Sequence, residues 1–528
     1  MPPTREMDPV IVVGSGIAGS LVALSAAGTG PVVLITKETL GDGSTRRAQG
    51  GIAAAIDEHD SVEAHLADTL AAGAGLCDAA AAEVICREGP GQVAELIARG
   101  VEFDRENGRL RLGLEGAHSA ARVVHAGGDA TGAHIVVTLT AALRADPRVE
   151  LAEGERALEV LVRDGRVAGL RSVGPDGVER ERAARAVVLA AGGSGQLYTR
   201  TTNPHGATAD GPALAARAGA ALADLEIVQF HPTALAAGEG PLALVSEAVR
   251  GEGGLLRDAR GRRFMRDAHP LAELGPRDVV ARAIARSAAE LGADVTIDLR
   301  HLDPDEVRSR FPTVAALCAE HGLDLARDLV PVTPAAHYGV GGVLADMSGR
   351  TTLPGLFAIG ECAATGAHGA NRLASNGLLE AAVLAAGAAR VLAEGTDAWP
   401  GCRLGPIAPV APPVGHGDGP PARAALQESM WRGVGVERDA HGLATASAAL
   451  AAIREGTDPE TDNLLLVARL TAAAATLRTE SRGAHFRGDH PAPDPRQARR
   501  IAWVGGLPVV LSPTTTARRD RALAMEAA

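Results

Sequence analysis

Arg277 and Arg372, together with His231 and His337, are side chains suited to gripping the two carboxylates of a small diacid. A guanidinium offers a carboxylate two parallel N–H donors, and an imidazole adds a single directed one. His231 stands in QFHPT beside Gln229 and Pro232, Arg277 in ELGPRD, His337 in AAHYGVGG, and Arg372 in TGAHGANRLASNGLLE. Ser246, Glu247 and Arg250 follow one another closely in VSEAVRGEGG. Taken singly, each serves equally well as a structural ion pair or a hydrogen-bonded core histidine. Taken together they describe a local basic pocket in a chain of net charge -12. That acidic balance and an aromatic content of 2% argue against a nucleic-acid partner, because phosphate binding needs a basic surface and base stacking needs aromatic rings.

Elements that position such residues are legible around them. The stretch from Thr365 to Glu380 follows TTLPGLFAIGEC, which reads as a buried strand and a turn ending at Glu361. Its Gly and Ala residues let backbone approach a ligand, and SNGLLE opens a helix whose N-terminus favours negative charge. One segment is thus expected to hold a cofactor and an acidic substrate together. Near the N-terminus Val10–Val13 forms an apolar strand, GSGIAG (residues 14–19) follows, and an Ala-rich helix leads to a second strand at Pro31–Thr36. This is the setting of a dinucleotide fingerprint. At the end of the second strand, where an acid for the ribose hydroxyls is usual, the chain has Thr36, Lys37 and Glu38. A plain nicotinamide reading therefore loses ground, and a flavin dinucleotide with Lys37 on its adenosine side remains, unless Lys37 is simply a solvated strand end. Ala186–Gly193 and Gly355–Glu361 are further strand-turns, and Glu361 can accept from a ribitol or ribose hydroxyl. Gly43–Ala54, GSTRRAQGGIAA, is another turn whose amides suit a pyrophosphate or a flavin ring.

At roughly 150 residues per domain, 528 residues predict about three domains. The expected class is α/β: a Rossmann-type domain over residues 1–224 and 341–405, interrupted by an α+β capping domain over 225–340. A C-terminal α-helical domain over 420–528 is expected beyond the Pro- and Gly-rich linker PIAPVAPPVGHGDGPP, with helical periodicity at Ala422–Met430, Leu443–Arg454 and Asn463–Leu477. The opening MPPTREMDP lacks the basic and apolar regions of a signal peptide. The apolar run Gly377–Ala393 is interrupted by Glu380 and Arg390 and is expected to fall short of a membrane span, so a cytoplasmic protein with no membrane partner is predicted. Five cysteines without a CxxC are expected to be reduced thiols, and no metal site is predicted.

The strings GSGIAG, GSTRRAQGGIAA, ATADGPALAARAGA, QFHPTAL, SEAVRGEGG, GPRDVVARAI, PAAHYGVGGV, GLFAIGE and GAHGANRLASNGLLE occur in the order and setting of the fumarate reductase and succinate dehydrogenase flavoprotein superfamily. Within it the chain most resembles the L-aspartate oxidases. LQESMWRGVGVER (426–438) and TESRGAHFRGDHP (479–491) extend the resemblance into the C-terminal domain, so it covers nearly the whole length. The resemblance implies FAD contacts at Gly14, Ser15, Gly16, Ile17, Gly19, Lys37, Ser44, Thr45, Ala48, Gln49, Gly50, Gly51, Asp210, Glu361, Ser375, Gly377 and Leu378. It implies oxidation of L-aspartate to iminoaspartate, the first step of de novo NAD biosynthesis, with oxygen or fumarate as electron acceptor and functional coupling to quinolinate synthase. His231, His337, Arg372 and Ser246 are implied to hold the substrate carboxylates. Arg277 is implied as the proton shuttle of fumarate reduction, with a mainly electrostatic part in aspartate oxidation because an Arg is a poor general base.

Two alternatives stand beside this: a soluble fumarate reductase or succinate dehydrogenase-type flavoprotein, and a non-catalytic flavin-binding electron-transfer subunit. Ser44 stands where membrane-complex relatives have the His that tethers FAD, so the resemblance implies noncovalent FAD. Glu115, in LGLEGAHS, matches the acid that aspartate oxidases have where diacid oxidoreductases tend to have Gln, and is implied to pair with the substrate ammonium. Spacing alone leaves a solvated loop acid near Arg111 as the lesser alternative. The chain departs from the pattern at Arg46 and Arg47, which precede AQGG, at Ser246 in place of Thr, and at Gly377 in place of Ser. At the last of these, backbone amides would replace a side-chain contact.

Overall fold

The strand Val10–Val13, VIVV, is apolar on both faces and is stable only with both faces covered, which places it inside a parallel sheet. In the computed structural model, which describes residues 8–238, 240–400, 402, 404–405, 407–410, 420–456 and 458–511, it is the middle strand of five. The order is Leu356–Ala358, Ala186–Leu189, Val10–Val13, Val32–Thr36, Val149–Glu153, every pair parallel. The helices Ile17–Ala26 and Asn376–Glu394 pack against each other over this core. Carboxyl ends of parallel strands are where such sheets bind ligands, and here those ends lead into Gly14, Lys37 and Glu361.

Asn376–Glu394 departs from expectation. Its 19 residues are long and apolar enough to cross a membrane by length and composition, in spite of Glu380 and Arg390, but 67% of its apolar window is buried within the protein. It is a core helix packed beside the parallel sheet, with Glu380 among its buried residues.

The capping domain has a core of its own, with Leu235, Val245, Phe264, Ile284 and Val332 in a cluster separate from the main one. Its four-stranded antiparallel sheet runs Val228–Leu235, Leu329–Gly339, Val295–Asp298, Leu255–Arg257. The pairing of the first two strands slips twice, between Gln229 and Phe230 and between His231 and Ala234. Prolines at 232 and 334 explain the second slip, since each lacks the N–H a regular ladder needs.

The C-terminal region forms the helices Pro420–Val434, Ala440–Ala452 and Pro459–Leu477. It then does what a purely helical reading did not anticipate. Ile501–Val504 and Leu507–Val510 form a hairpin whose first strand pairs antiparallel with Leu222–Ala223, returning this segment to the body of the protein. Gly505 and Gly506, both at positive φ, make the two-residue turn. Residues 411–419 of the Pro- and Gly-rich linker, like residues 1–7 of the opening segment, lie outside the described residues.

Candidate active site

A long cleft, enclosing about 1510 Å³ out to its open mouth, runs along the sheet's carboxyl edge. Gly14, Ser15, Gly16, Ile17, Lys37, Ser44, Thr45, Ala48, Asp210, Glu361, Gly377 and Leu378 all line it, and His337 and Arg372 stand at one end. Gly19, Gln49, Gly50, Gly51 and Ser375 are not among its lining residues. Gly19 and Gly51 serve close packing instead, since a Cβ there would fall 1.9 Å from Gly14 O and 2.1 Å from Val124 O. Gly14 itself has φ +107°, and a Cβ would lie 2.2 Å from Ala190 O, so only glycine makes this turn. The helix that follows has no side-chain cap, which leaves N–H donors at its start; Ile17 N donates to Thr45 Oγ1 at 3.2 Å. A glycine turn, an open helix N-terminus and a cleft of this length fit a dinucleotide.

Lys37 is no solvated strand end. Its ammonium donates to Thr208 Oγ1 at 2.6 Å, Asp210 Oδ2 at 2.8 Å and Glu460 Oε1 at 2.6 Å, so a C-terminal helix reaches the same end of the cleft. Glu361 accepts from Gly339 N at 3.1 Å, and burial pushes its pKa up to about 7. Arg46 and Arg47 are both exposed. Gly132 was missed by sequence reading: its N–H donates to Ala48 O at 2.9 Å, and a Cβ would lie 1.7 Å from Thr45 O. Gly132→Ala should push the Ser44–Ala48 turn into the cleft, weakening binding of the flavin dinucleotide expected from the sequence by about tenfold for ~1.4 kcal/mol of overpacking, as read by flavin fluorescence on titrating the apoprotein.

The slips in the capping sheet aim the histidines. Gln229 lies opposite Tyr338 and Phe230 opposite Ala336, so His337 is the extra, unpaired residue of its strand. Its Nδ1 lies 2.9 Å from Thr202 Oγ1, and Asn203 Nδ2 donates to its carbonyl at 2.8 Å. At the second slip the Thr233 N–H, released from the ladder, donates to His231 Nδ1 at 3.2 Å. Burial first, then Arg277, His337, Arg250 and Arg372, holds the His231 pKa well below its ordinary value. The neutral ring, with Nδ1 accepting, therefore carries its proton on Nε2. The two imidazoles meet edge to face at 5.1 Å.

Ser246 precedes the short helix Glu247–Gly251 but makes no capping bond. Its Oγ, His231 Nε2 and Arg372 Nε are all buried with no hydrogen-bond partner among the described residues. Buried polar atoms are normally satisfied, so such orphans mark where a polar ligand fits. Burial, then Arg277, lowers the pKa of Arg372 to about 10.

Glu247 organises the far wall. It accepts from Arg277 Nε at 2.5 Å and pairs with Arg250 Nη2 at 3.3 Å, while Arg277 Nη1 donates to Gln229 Oε1 at 3.0 Å. Gln229 in turn donates to Asn371 Oδ1 and to the carbonyl of Arg372. Arg277 is the first residue of the helix Arg277–Leu291, at the positive end of its dipole, and Glu247 offsets that placement.

Glu115 is 5% exposed, not a solvated loop acid. Its Oε2 accepts from Ser375 Oγ at 2.8 Å, so the serine expected at the cofactor is tied to this carboxylate, with Gly50 packed against both. Burial, then the neighbouring Glu247, raises the Glu115 pKa. Thr202, Asn203, Tyr338 and His118 were missed as site residues; only TTNPHG, a turn-rich string after a predicted strand, carried any local signal for the first two.

Over residues 9–378 the chain matches the family model described as FAD binding domain, and over 457–504 the one described as fumarate reductase flavoprotein C-term. An L-aspartate oxidase of Streptomyces coelicolor is 49% identical over 529 residues, 93% of this chain and 90% of that protein. One of Caulobacter vibrioides is 46% identical over 505 residues, 94% and 96% of the two chains. Among solved structures, E. coli quinol fumarate reductase FrdA superposes with a TM-score of 0.85 at 31% identity, covering 96% of each chain. Mycobacterium smegmatis Sdh1 gives 0.80 at 31%, covering 96% of this chain and 94% of that one. With a dinucleotide turn, a serine at position 44 and a buried acid at position 115 beside the buried His231, Arg277 and Arg372, the chain belongs to the L-aspartate oxidases, flavoproteins of the fumarate reductase and succinate dehydrogenase type that hold FAD noncovalently.

Proposed function

We propose that this site binds L-aspartate by both carboxylates and by its ammonium, and oxidises it to iminoaspartate. The observation that carries the reading is the convergence of buried, unpartnered donors on His231, Ser246 and Arg372 with a buried acceptor carboxylate on Glu115. Three guanidiniums, those of Arg250, Arg277 and Arg372, act on the His231 ring, against the single Glu247 carboxylate that pairs two of them. That excess of positive charge matches the two substrate carboxylates, with Glu115 left to offset the ammonium.

In this reading His231 Nε2–H, Ser246 Oγ–H, His337 and Arg372 orient the two carboxylates, which turns a bimolecular encounter into an effectively intramolecular one. FAD, when bound, supplies the two-electron acceptor for the substrate Cα hydrogen. Ser15, Gly16, Thr45, Asp210, Glu361 and the amides of Gly377 and Leu378 would hold it. Glu115 takes the substrate ammonium and the proton that this nitrogen must release before the Cα hydrogen leaves with its electron pair, and Arg277, already tied to Glu247, lends positive charge to the substrate end and takes no proton. Reoxidation by oxygen or fumarate, a cytoplasmic location and delivery of iminoaspartate to quinolinate synthase complete the proposal.

A soluble fumarate reductase is the second reading, favoured by the diacid clamp and by the structural likeness to quinol fumarate reductase. Anaerobic mixing of the yellow holoenzyme with L-aspartate or with succinate separates the two. Aspartate is expected to bleach the flavin absorbance, and bleaching by succinate alone would overturn the assignment.

A further inference from the structure

Arg277 and Arg372 are both buried, yet they are held differently. Arg277 spends its Nε on Glu247. Arg372 makes no ion pair among the described residues; its guanidinium carbon lies over the Tyr338 ring, 4.4 Å from the centroid. A stacked guanidinium is held by its face, so its N–H edge stays free for a ligand, whereas an ion-paired one has donors already committed. Gly377 permits this arrangement, because a Cβ there would fall 3.1 Å from Arg372 Nη1 and 3.2 Å from the Tyr338 ring.

Beneath the ring lies a second device. The Tyr338 hydroxyl donates to Glu380 Oε2 at 3.0 Å. The same carboxylate receives Thr365 Oγ1 at 2.7 Å and lies 2.7 Å from His368 Nε2. Thr365 and His368 begin the loop, Glu380 lies in the helix that follows it, and Arg372 stands midway. Glu380 therefore closes the loop that presents Arg372 without occupying any of its donors, and the carboxylates that act on the guanidinium itself are those of Glu361 and Glu115. All of these side chains are less than one-tenth exposed.

We propose that Tyr338 and Glu380 are the positioning residues of the carboxylate clamp: the tyrosine face fixes Arg372, and Glu380 fixes both the tyrosine and the two ends of the loop. The inference rests on the reading of Arg372 as a carboxylate ligand. Glu380 lies outside the cleft lining and Tyr338 lines it beside Arg372, so both act through Arg372, on affinity and little on the rate of chemistry.

The test uses FAD-loaded enzyme. Malonate, a diacid with no oxidisable counterpart here, is titrated by its perturbation of the flavin spectrum, and KM and kcat for L-aspartate are measured alongside. Tyr338→Leu should raise both the malonate Kd and the aspartate KM by ~30-fold, the weight of a desolvated cation–π contact, with kcat changed less than about threefold. Tyr338→Phe keeps the ring and should raise them only ~3-fold, and Glu380→Gln, which leaves the ring but weakens its anchor, should fall between the two. Malonate affinity within twofold of the unsubstituted enzyme in Tyr338→Leu, or a loss in Tyr338→Phe as large as in Tyr338→Leu, overturns the proposal. If the Leu variant does not fold, an unchanged malonate Kd in both Tyr338→Phe and Glu380→Gln overturns it equally. Arg372→Gln tests the underlying reading separately: unchanged malonate affinity there removes the clamp itself, whereas a large loss there with none in the Tyr338 and Glu380 variants removes only this inference.

Discussion

Arg277→Gln is expected to lose about 3 to 5 kcal/mol of stability as well as turnover, because it strands the buried Glu247 carboxylate. Glu247 is 3% exposed and its pKa is lowered chiefly by Arg277 and Arg250 against the cost of burial. With Arg277 gone, only the longer contact at 3.3 Å to Arg250 remains. Glu247→Gln alone should also destabilise, since it leaves Arg277 buried at a helix N-terminus without its ion-pair partner. The double variant, Arg277→Gln with Glu247→Gln, should recover much of the loss, because two amides can satisfy one another, yet remain inactive. Thermal and urea midpoints of the three variants read the coupling, and simple additivity would sink the argument. The sign with pH follows. A carboxylate whose folded pKa is depressed contributes stability above its unfolded value, near 4.5, and loses it as pH falls through the folded value, so the unsubstituted enzyme and Glu247→Gln should converge in stability under acid conditions.

How much of this was legible beforehand depended on whether the cause was local. The strand Val10–Val13 with its glycine turn carries its own signal, because the backbone at Gly14 dictates glycine whatever surrounds it. The hairpin Ile501–Val510 was equally local, two β-prone runs about Gly505–Gly506, and could have been read. Periodicity in the preceding helices drew the whole C-terminal region into one class. Asn376–Glu394 shows the converse failure. Two charged residues were weighed against an apolar run, but Glu380 is buried because Thr365, His368 and Tyr338 satisfy it, and no windowed pattern sees those partners.

The residues of the proposed clamp were legible as types, and their arrangement was not. His231 and His337 were picked out by chemistry, while the reason they face one another lies in two register slips between strands a hundred residues apart, which no spacing rule encodes. Lys37 with Glu460, and Gly132 beneath Thr45, are pairings of the same long-range kind. Ser375 is the most instructive of these. Its place at the head of the core helix suggested a cofactor contact, yet its hydroxyl is committed to Glu115, so the turn that borders the flavin cleft also holds the acid expected to read the substrate's amino group.

Glu115→Gln should therefore separate the two diacid activities of one site. The amide can still accept from Ser375 and occupies nearly the same volume, so fold and FAD content are expected to persist. What is lost is a buried negative charge facing the substrate ammonium, a charged hydrogen bond of about 1.5 to 3 kcal/mol, which lowers kcat/KM for L-aspartate by roughly 10- to 150-fold. Fumarate carries no ammonium and leaves Glu115 without a cationic partner, while the raised pKa of this acid, caused by burial and by Glu247, already shows that its charge is costly there. Fumarate reduction by the same variant should thus hold within about threefold or improve. Ser375→Ala, which frees the carboxylate without removing its charge, should weaken aspartate use by a smaller factor, of about 5, and spare fumarate as well. Steady-state oxidation of L-aspartate and fumarate reduction with a reduced dye, measured on one preparation of each variant, give the ratio directly. An equal loss of both activities in Glu115→Gln would mean that the carboxylate orders the site as a whole and does not select the amino group.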